Sequence, residues 1–327
     1  WNLCAKVELL IISTFSFSNE KSNITLQLSW LNQFQFAGYY IAKEKGFYKE
    51  AGLDVILRPN GYNGSFVSPV DAVVSGDAQF GISNSGLVLD YLNGKPVVAL
   101  AATLQHSAVS WLVLEKSGIR SIHDMVNKRL MTVFPLSESL ELLEPFRAEG
   151  IDPKKLNLTQ TIFDLQPLID GKIDAYDAYV TNEPFLLEQK GIPYRIIDPR
   201  TYGIDFYGDV LFTSQAELQN NPERVEAFRK ASMAGWRYAM AHPDEIIDLI
   251  VNKYAPQKNR EHLRFEARAM WNLMQPDIIE MGHMNPGRWL RIAEIMTEHN
   301  RIIDDKILDS FIYTPDNYQQ NLLRYLQ

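Results

Sequence analysis

Ile24-Thr-Leu-Gln-Leu-Ser-Trp30, Phe36-Ala-Gly-Tyr-Tyr-Ile-Ala-Lys-Glu-Lys45 and Leu53-Asp-Val-Ile-Leu57 decide the fold between them. The first segment alternates apolar and polar side chains, the period of a half-buried strand. The second repeats apolar residues at helical spacing, Gly52 marks a helical stop, and the third is again a strand. Strand, helix, strand over so short a stretch is a βαβ unit, and such units build parallel sheets.

The same rhythm continues outward. Val70–Ser75 reads as a helix closed by Gly76, Ala78–Ile82 as a strand, Leu87–Leu92 as a helix closed by Gly94, and Val97–Ala102 as a strand. Beyond Gly118 it restarts with strands at Leu130–Phe134, Leu156–Thr161, Ala175–Val180 and Tyr194–Ile197. Helices at Ser139–Glu149, Leu165–Ile169 and Pro184–Lys190 lie between them. A short helix, a glycine stop and a strand recur at Asp71–Ile82 and Gln166–Tyr176, which favours two similar α/β lobes over one long sheet. From Asn221 onward helices dominate: Pro222–Ala241, Pro243–Tyr254, Arg260–Met274 and Pro286–Glu298. Their apolar faces predict packing against the first lobe. The expected division is a lead-in at 1–23, the first part of lobe 1 at 24–117, lobe 2 at 118–209, and at 210–327 a return to lobe 1 with C-terminal helices.

Composition narrows the function. Hydrophobic residues at 46% and charged residues at 22% describe an ordinary globular chain and exclude wholesale disorder. Forty Asp+Glu against 32 Lys+Arg leave a net charge of −8, which argues against a nucleic-acid partner. One cysteine, Cys4, excludes an internal disulfide framework, a CxxC redox pair and a thiolate-rich metal site. The apolar run Leu9–Phe17 is too short to span a bilayer and reads as the tail of a secretory signal peptide, with a buried N-terminal strand as the alternative. The signal reading places the mature chain outside the cytoplasm.

In open parallel sheets ligands sit beyond the carboxyl ends of the strands. That rule selects Trp30, Gln33 and Phe36 after the first strand, Ser83 and Asn84 after Ile82, and Gln105 and His106 after Ala102. In the second half it selects Tyr179, Asn182 and Glu183, with Tyr207 and Asp209 near the return crossing. Aromatic rings, amides and few charges suit a small, flat, polar ring compound. Each residue also has a structural reading. Ser83, Asn84 and Asn182 sit where helix caps belong, and Glu183 sits where a helix dipole favours an acid. Trp30 and Phe36 fit a core, His106 fits a structural role, and Asp209 fits the turn around Gly208.

The opening segments, with Ser75-Gly-Asp-Ala-Gln-Phe-Gly-Ile82, Ser117-Gly-Ile-Arg-Ser-Ile-His-Asp124 and Asn182-Glu-Pro184, resemble a solute-binding family of thiamine-pyrimidine precursor binders (ThiY-like) and hydroxymethylpyrimidine synthases. The resemblance covers most of Ile24 to about Pro243. It implies a type II periplasmic-binding-protein fold: two α/β lobes that close on ligand, joined by a hinge expected near Leu114–Gly118 and Tyr207–Leu211. Members deliver small molecules to the membrane subunits of ABC importers. Similar domains act as extracytoplasmic sensors fused to histidine kinases or diguanylate cyclases. Gln105-His-Ser107, Asn182-Glu-Pro184 and Tyr202-Gly-Ile-Asp-Phe-Tyr-Gly-Asp209 resemble that sensor subgroup.

The synthase branch implies a lysine carrying pyridoxal phosphate, a nearby histidine and a cysteine-rich iron-binding run. This chain has Ser83 at the lysine position, Leu87 or Val88 near the histidine position, and Gly203-Ile-Asp-Phe-Tyr-Gly208 in place of the cysteines. Without the amine no Schiff base forms, and without thiols the iron loses its soft ligands. Asp174 and Asp177, three apart in a strand, point to opposite faces and make no catalytic pair. The expectation is therefore a binding protein with no catalytic residues, no metal and no cofactor. It takes a pyrimidine-like ligand and works as an importer component, with a sensor domain as the alternative.

Overall fold

The structure is a computed structural model that describes residues 23–61, 65–134, 136–297 and 303–314. The run Leu9–Phe17 lies outside those residues. The first lobe opens with β1 (Asn23–Gln27), α1 (Ala37–Glu44), α2 (Phe47–Glu50), β2 (Asp54–Arg58), α3 (Pro69–Val74), β3 (Phe80–Ser83), α4 (Leu87–Leu92) and β4 (Val97–Ala102). The chain then crosses to β5 (Val109–Leu114), β6 (Arg129–Thr132), α5 (Leu140–Ala148), β7 (Asn157–Gln160), α6 (Gln166–Ile169), β8 (Ala175–Tyr179), α7 (Glu183–Gln189) and β9 (Tyr194–Ile197). It returns through β10 (Val210–Ser214) and continues as α8 (Gln215–Asn220), α9 (Pro222–Ala241), α10 (Pro243–Leu249), α11 (Arg260–Met274) and α12 (Pro286–Met296).

Two five-stranded sheets result, ordered β2-β1-β3-β10-β4 and β7-β6-β8-β5-β9. The orders are equivalent position by position. The two copies of the sequence element become α3–β3 and α6–β8, which occupy the same place in the two sheets. Neither sheet is wholly parallel. β10 runs antiparallel to β3 and β4, and β5 runs antiparallel to β8 and β9. These are the strands that follow the two crossings, where a loop rather than a covering helix brings the chain into a sheet, so the parallel βαβ rule does not govern them. The strand β5 was not foreseen. It belongs to the second sheet, so the chain crosses at Thr103–Ala108, ahead of the division expected at 117/118 and of the hinge expected at Leu114–Gly118.

The C-terminal helices pack on the first lobe, as their apolar faces predict. Phe228 of α9 stacks on Phe80 of β3 at 3.8 Å and on Tyr48 of α2 at 5.1 Å. The helices α1 and α9 cross with backbones in contact, because a Cβ on Gly235 would lie 2.1 Å from the Gly38 carbonyl oxygen. The segment expected as one helix to Tyr254 ends in a widened π turn over Ile250–Tyr254. No helix among the described residues is long and apolar enough to cross a membrane.

Candidate functional site

A cavity of about 700 Å³ opens between the two sheets at the carboxyl ends of their strands. Nine of the twelve expected residues line it: Trp30, Gln33, Ser83, Asn84, Tyr179, Asn182, Glu183, Tyr207 and Asp209. Three do not, each for a visible reason. Phe36 is fully buried in the core of lobe 1. Gln105 is spent inside the crossing, where its Nε2 donates to the carbonyls of Ala102 (3.0 Å) and His283 (2.8 Å). His106 stands behind the wall, its Nδ1 2.8 Å from Asp205 Oδ1, the structural role weighed for it above.

The segment Gln33-Phe-Gln-Phe36 divides by chemistry. Both phenylalanines turn into the core, while Gln33 and Gln35 face the cleft. Gln33 Nε2 donates to Gln35 Oε1 at 2.5 Å, and Gln35 Nε2 donates to Asp209 Oδ1 at 2.9 Å. Across the cleft the Tyr179 hydroxyl donates to the same oxygen at 3.2 Å. Asp209, on the second crossing, thus joins a side chain of lobe 1 to one of lobe 2. Its backbone carbonyl is held by the Thr103 amide (2.8 Å) and hydroxyl (3.0 Å) on the first crossing. The carboxyl is 5% exposed, and its Oδ2 has no hydrogen-bond partner among the described residues. Burial pushes it up to about 7 against the opposing Gln35 and Tyr179 donors.

Three more acids line the second wall. Burial raises Glu141 to about 8; a Ser107 hydrogen bond opposes the shift, and the charges of Asp205, Asp177 and Asp198 add to it. Burial also raises Asp177, whose Oδ2 accepts from the Thr132 hydroxyl at 2.7 Å. Glu183 is raised by burial despite accepting from the Tyr179 amide (2.7 Å) and Asn182 Nδ2 (2.6 Å). The capping expectation holds only in part: Asn182 is the N-cap residue of α7 but its side chain bonds Glu183 rather than the helix amides, Ser83 ends β3 and caps nothing, and Asn84 Oδ1 accepts from the amide of Gly86, the N-cap of α4, at 2.7 Å. Asp174 lies outside, paired with Arg129 at 2.8 Å, so it and Asp177 do face opposite ways. Tyr207 reaches the cavity, but its hydroxyl accepts from the Asn285 amide at 2.8 Å and its ring lies 4.2 Å beneath the Arg288 guanidinium.

Aromatic rings from both lobes meet at Trp30. Trp30 packs against Phe66 at 4.8 Å and against Phe163 at 5.6 Å, the second contact spanning the cleft. Phe163 is 62% exposed and sits at φ +54°, in a region bulky residues seldom adopt. Thr161 Oγ1 holds it there by accepting from its amide at 3.2 Å. The rule that found Trp30 also covers Gln35, in the same loop after the first strand, but it passed over Glu141, Asp177 and Phe163. Glu141 was signalled by an acid in the first turn of a helix that follows a strand. Phe163 carried no sequence signal.

Residues 33–246 match the family described as NMT1/THI5 like. Riboflavin-binding protein RibY of Chloroflexus aurantiacus is 24% identical over 285 residues, covering 84% of this chain and 80% of its own. The formylaminopyrimidine-binding protein of Halalkalibacterium halodurans is 25% identical over 248 residues, 73% of each chain. The 4-amino-5-hydroxymethyl-2-methylpyrimidine phosphate synthase of Legionella pneumophila is 25% identical over 313 residues, 91% of this chain and 93% of its own. Among solved structures, the periplasmic aliphatic sulphonate binding protein SsuA of Escherichia coli aligns with a TM-score of 0.66 at 13% identity, over 90% of this chain and 92% of its own. That likeness fixes the fold as the two-lobed periplasmic-binding-protein fold. With the family match spanning more than half of the sequence, the chain belongs to the NMT1/THI5-like family.

Proposed function

We propose that this chain is an extracytoplasmic solute-binding protein whose lobes close on a small, flat, polar ring compound. A thiamine-pyrimidine precursor is the best match, taken up for delivery to the membrane subunits of an ABC importer. The observation that carries the reading is the cleft itself. A cavity of about 700 Å³ lies between two similar lobes, with Trp30 on one wall, Tyr179 and Glu183 on the other, and Asp209 bonded to both. Its volume falls within the range of ordinary small-molecule sites, about 300–1,000 Å³. The crossings at 103–108 and 198–209 act as the hinge, and ligand favours the closed arrangement by touching both walls at once. Relatives named for riboflavin and formylaminopyrimidine support a ring ligand.

Binding rather than synthesis is the role assigned. Ser83 lines the cleft where the synthase pattern has its lysine. Among the described residues the cleft is lined by one lysine, Lys95, held 2.9 Å from Asp71 and 3.0 Å from Asp90. The residues present therefore do not fit pyridoxal phosphate: no uncommitted amine faces the cavity, and its phosphate would meet carboxyls.

A thermal-shift titration tests the reading with 4-amino-5-hydroxymethyl-2-methylpyrimidine, its formylamino relative, riboflavin, an alkanesulfonate and unrelated amino acids. Ligand at about 100 times its dissociation constant stabilises by about 2.7 kcal/mol, a readable shift. A saturable shift confined to the pyrimidines supports the ligand class; a shift with the sulfonate or an amino acid alone rejects it.

A further inference from the structure

Among the described residues, the charged side chains lining the cleft are five carboxyls, Asp90, Glu141, Asp177, Glu183 and Asp209, and one amine, Lys95. Lys95 is already bound to Asp90 and Asp71. The basic side chains behind the walls are committed too: Arg200 to Asp198, His106 and Arg288 to Asp205, and Lys258 to Glu266. Helix N-termini, the usual alternative for holding an anion, are also answered from within the chain. The four helices whose first residues reach the cleft, α3, α4, α5 and α7, carry Asp71, Asp90, Glu141 and Glu183 in their first turns.

An independent observation points to what is missing. Asp209 Oδ2 is buried, borders the cavity and has no hydrogen-bond donor among the described residues. A buried polar atom left this way costs free energy that a bound donor would recover. The same cavity is lined by the rings of Trp30 and Phe163, 5.6 Å apart, with Phe66 packed on Trp30, and such rings are surfaces on which a flat cation stacks well.

We propose that the cleft selects a flat heterocyclic cation, stacked on Trp30 and paired with Asp209, and turns away ligands that carry phosphate or sulfonate. The proposal rests on the binding reading above and names its ligand class. It also separates this chain from proteins of the same fold named for binding sulphonate or nitrate.

A consequence follows for protons. The groups facing Asp209 are Gln35 from the β1–α1 loop and Tyr179 of β8; Tyr39 of α1 feels its charge, and Tyr179 also feels Glu141 and Glu183. None of these is a cation. A carboxyl raised by burial gives up its proton when a permanent cation arrives, so such a ligand binds more tightly as pH rises.

Two probe pairs test this by calorimetry at pH 6 and pH 8, in buffers of different ionisation heat. The first is 1-methylnicotinamide, a permanent ring cation, against neutral nicotinamide. The second is 4-amino-5-hydroxymethyl-2-methylpyrimidine against its phosphate ester. The cation is expected to bind at least about tenfold more tightly than nicotinamide, more tightly at pH 8 than at pH 6, and with proton release; the ester at least about tenfold more weakly than its parent. Asp209→Asn removes the pH dependence; Glu141→Gln, on a different element, reduces it and serves if Asp209→Asn does not fold. A silent 1-methylnicotinamide, or an ester that matches its parent, overturns the proposal, and the pyrimidine reading survives wherever the parent binds. Conversely, if the pyrimidines are silent while the ring cation binds with proton release, the ligand named under Proposed function falls and the charge rule stands.

Discussion

The two walls of the cleft differ in kind. Lobe 1 presents the neutral Trp30, Gln33, Gln35, Ser83 and Asn84 with one acid, Asp90, already paired to Lys95, whereas lobe 2 presents Glu141, Asp177 and Glu183 beside Tyr176 and Tyr179. The backing differs as well. The neutral wall rests on a sheet reinforced by α9 and α11, whose Phe228, Trp236 and Leu263 are fully buried against it. The acidic wall belongs to a lobe with two smaller cores and no such addition. On the function proposed above, lobe 1 serves as a stacking platform and lobe 2 as a charge-bearing cover, with Asp209 at the joint bonded to Gln35 and Tyr179.

Four substitutions probe that division, from the largest effect to the smallest. Gly235→Val strikes the platform, where a Cβ meets the Gly38 carbonyl and Ala42. A loss of about 3 kcal/mol or more in denaturant unfolding is expected, and a near-wild-type midpoint would show that the α1–α9 crossing can relax. Asp209→Asn should raise unliganded stability at pH 8. A carboxyl held near 7 in the folded chain and near its ordinary value when unfolded contributes full stability below about pH 4 and loses it as pH rises to about 7. The amide escapes that decline, which amounts to up to about 4 kcal/mol. Melting curves of the two proteins should coincide at pH 4 and separate by pH 8; a constant gap would refute the assignment. Tyr179→Phe removes the cover's donor to Asp209 and should weaken ligand binding by about 1 kcal/mol, roughly fivefold, read by calorimetry. Asp174→Asn removes an acid from the outer face of the same strand, and affinity should stay within about twofold, since that carboxylate serves only an exposed pair with Arg129.

Much of this architecture was legible because it is local. Alternation in Ile24–Trp30, glycine stops after short helices and the duplicated helix-stop-strand element each depend on a few neighbouring residues, and each appears where it was expected. β5 was missed because Val109-Ser-Trp-Leu-Val-Leu114 is a nearly continuous apolar run, and periodicity does not tell such a strand from a buried linker. The strand-end rule brought nine of its twelve residues to the cavity, since it depends on topology alone. It failed at Phe36, Gln105 and His106 because it says where a residue lies along the chain and not which way its side chain turns. The acidic wall was legible only in part: Glu183 was chosen, but Glu141 on α5 and Asp177 on β8 gain their meaning from lining one cavity although they are far apart in sequence. Phe163 depends on a left-handed backbone held by Thr161, a feature that three-dimensional context creates.

The most direct test of a ligand held between these walls is a calorimetric titration of the wild-type chain and Trp30→Ala, side by side, with 4-amino-5-hydroxymethyl-2-methylpyrimidine. One ligand per chain is expected, with an affinity loss of about 10- to 100-fold on removing the ring, or about 1.5–3 kcal/mol, while the melting temperature of the unliganded protein changes little because the side chain is only partly buried. Equal affinity in the two proteins would place the ligand elsewhere and contradict the account.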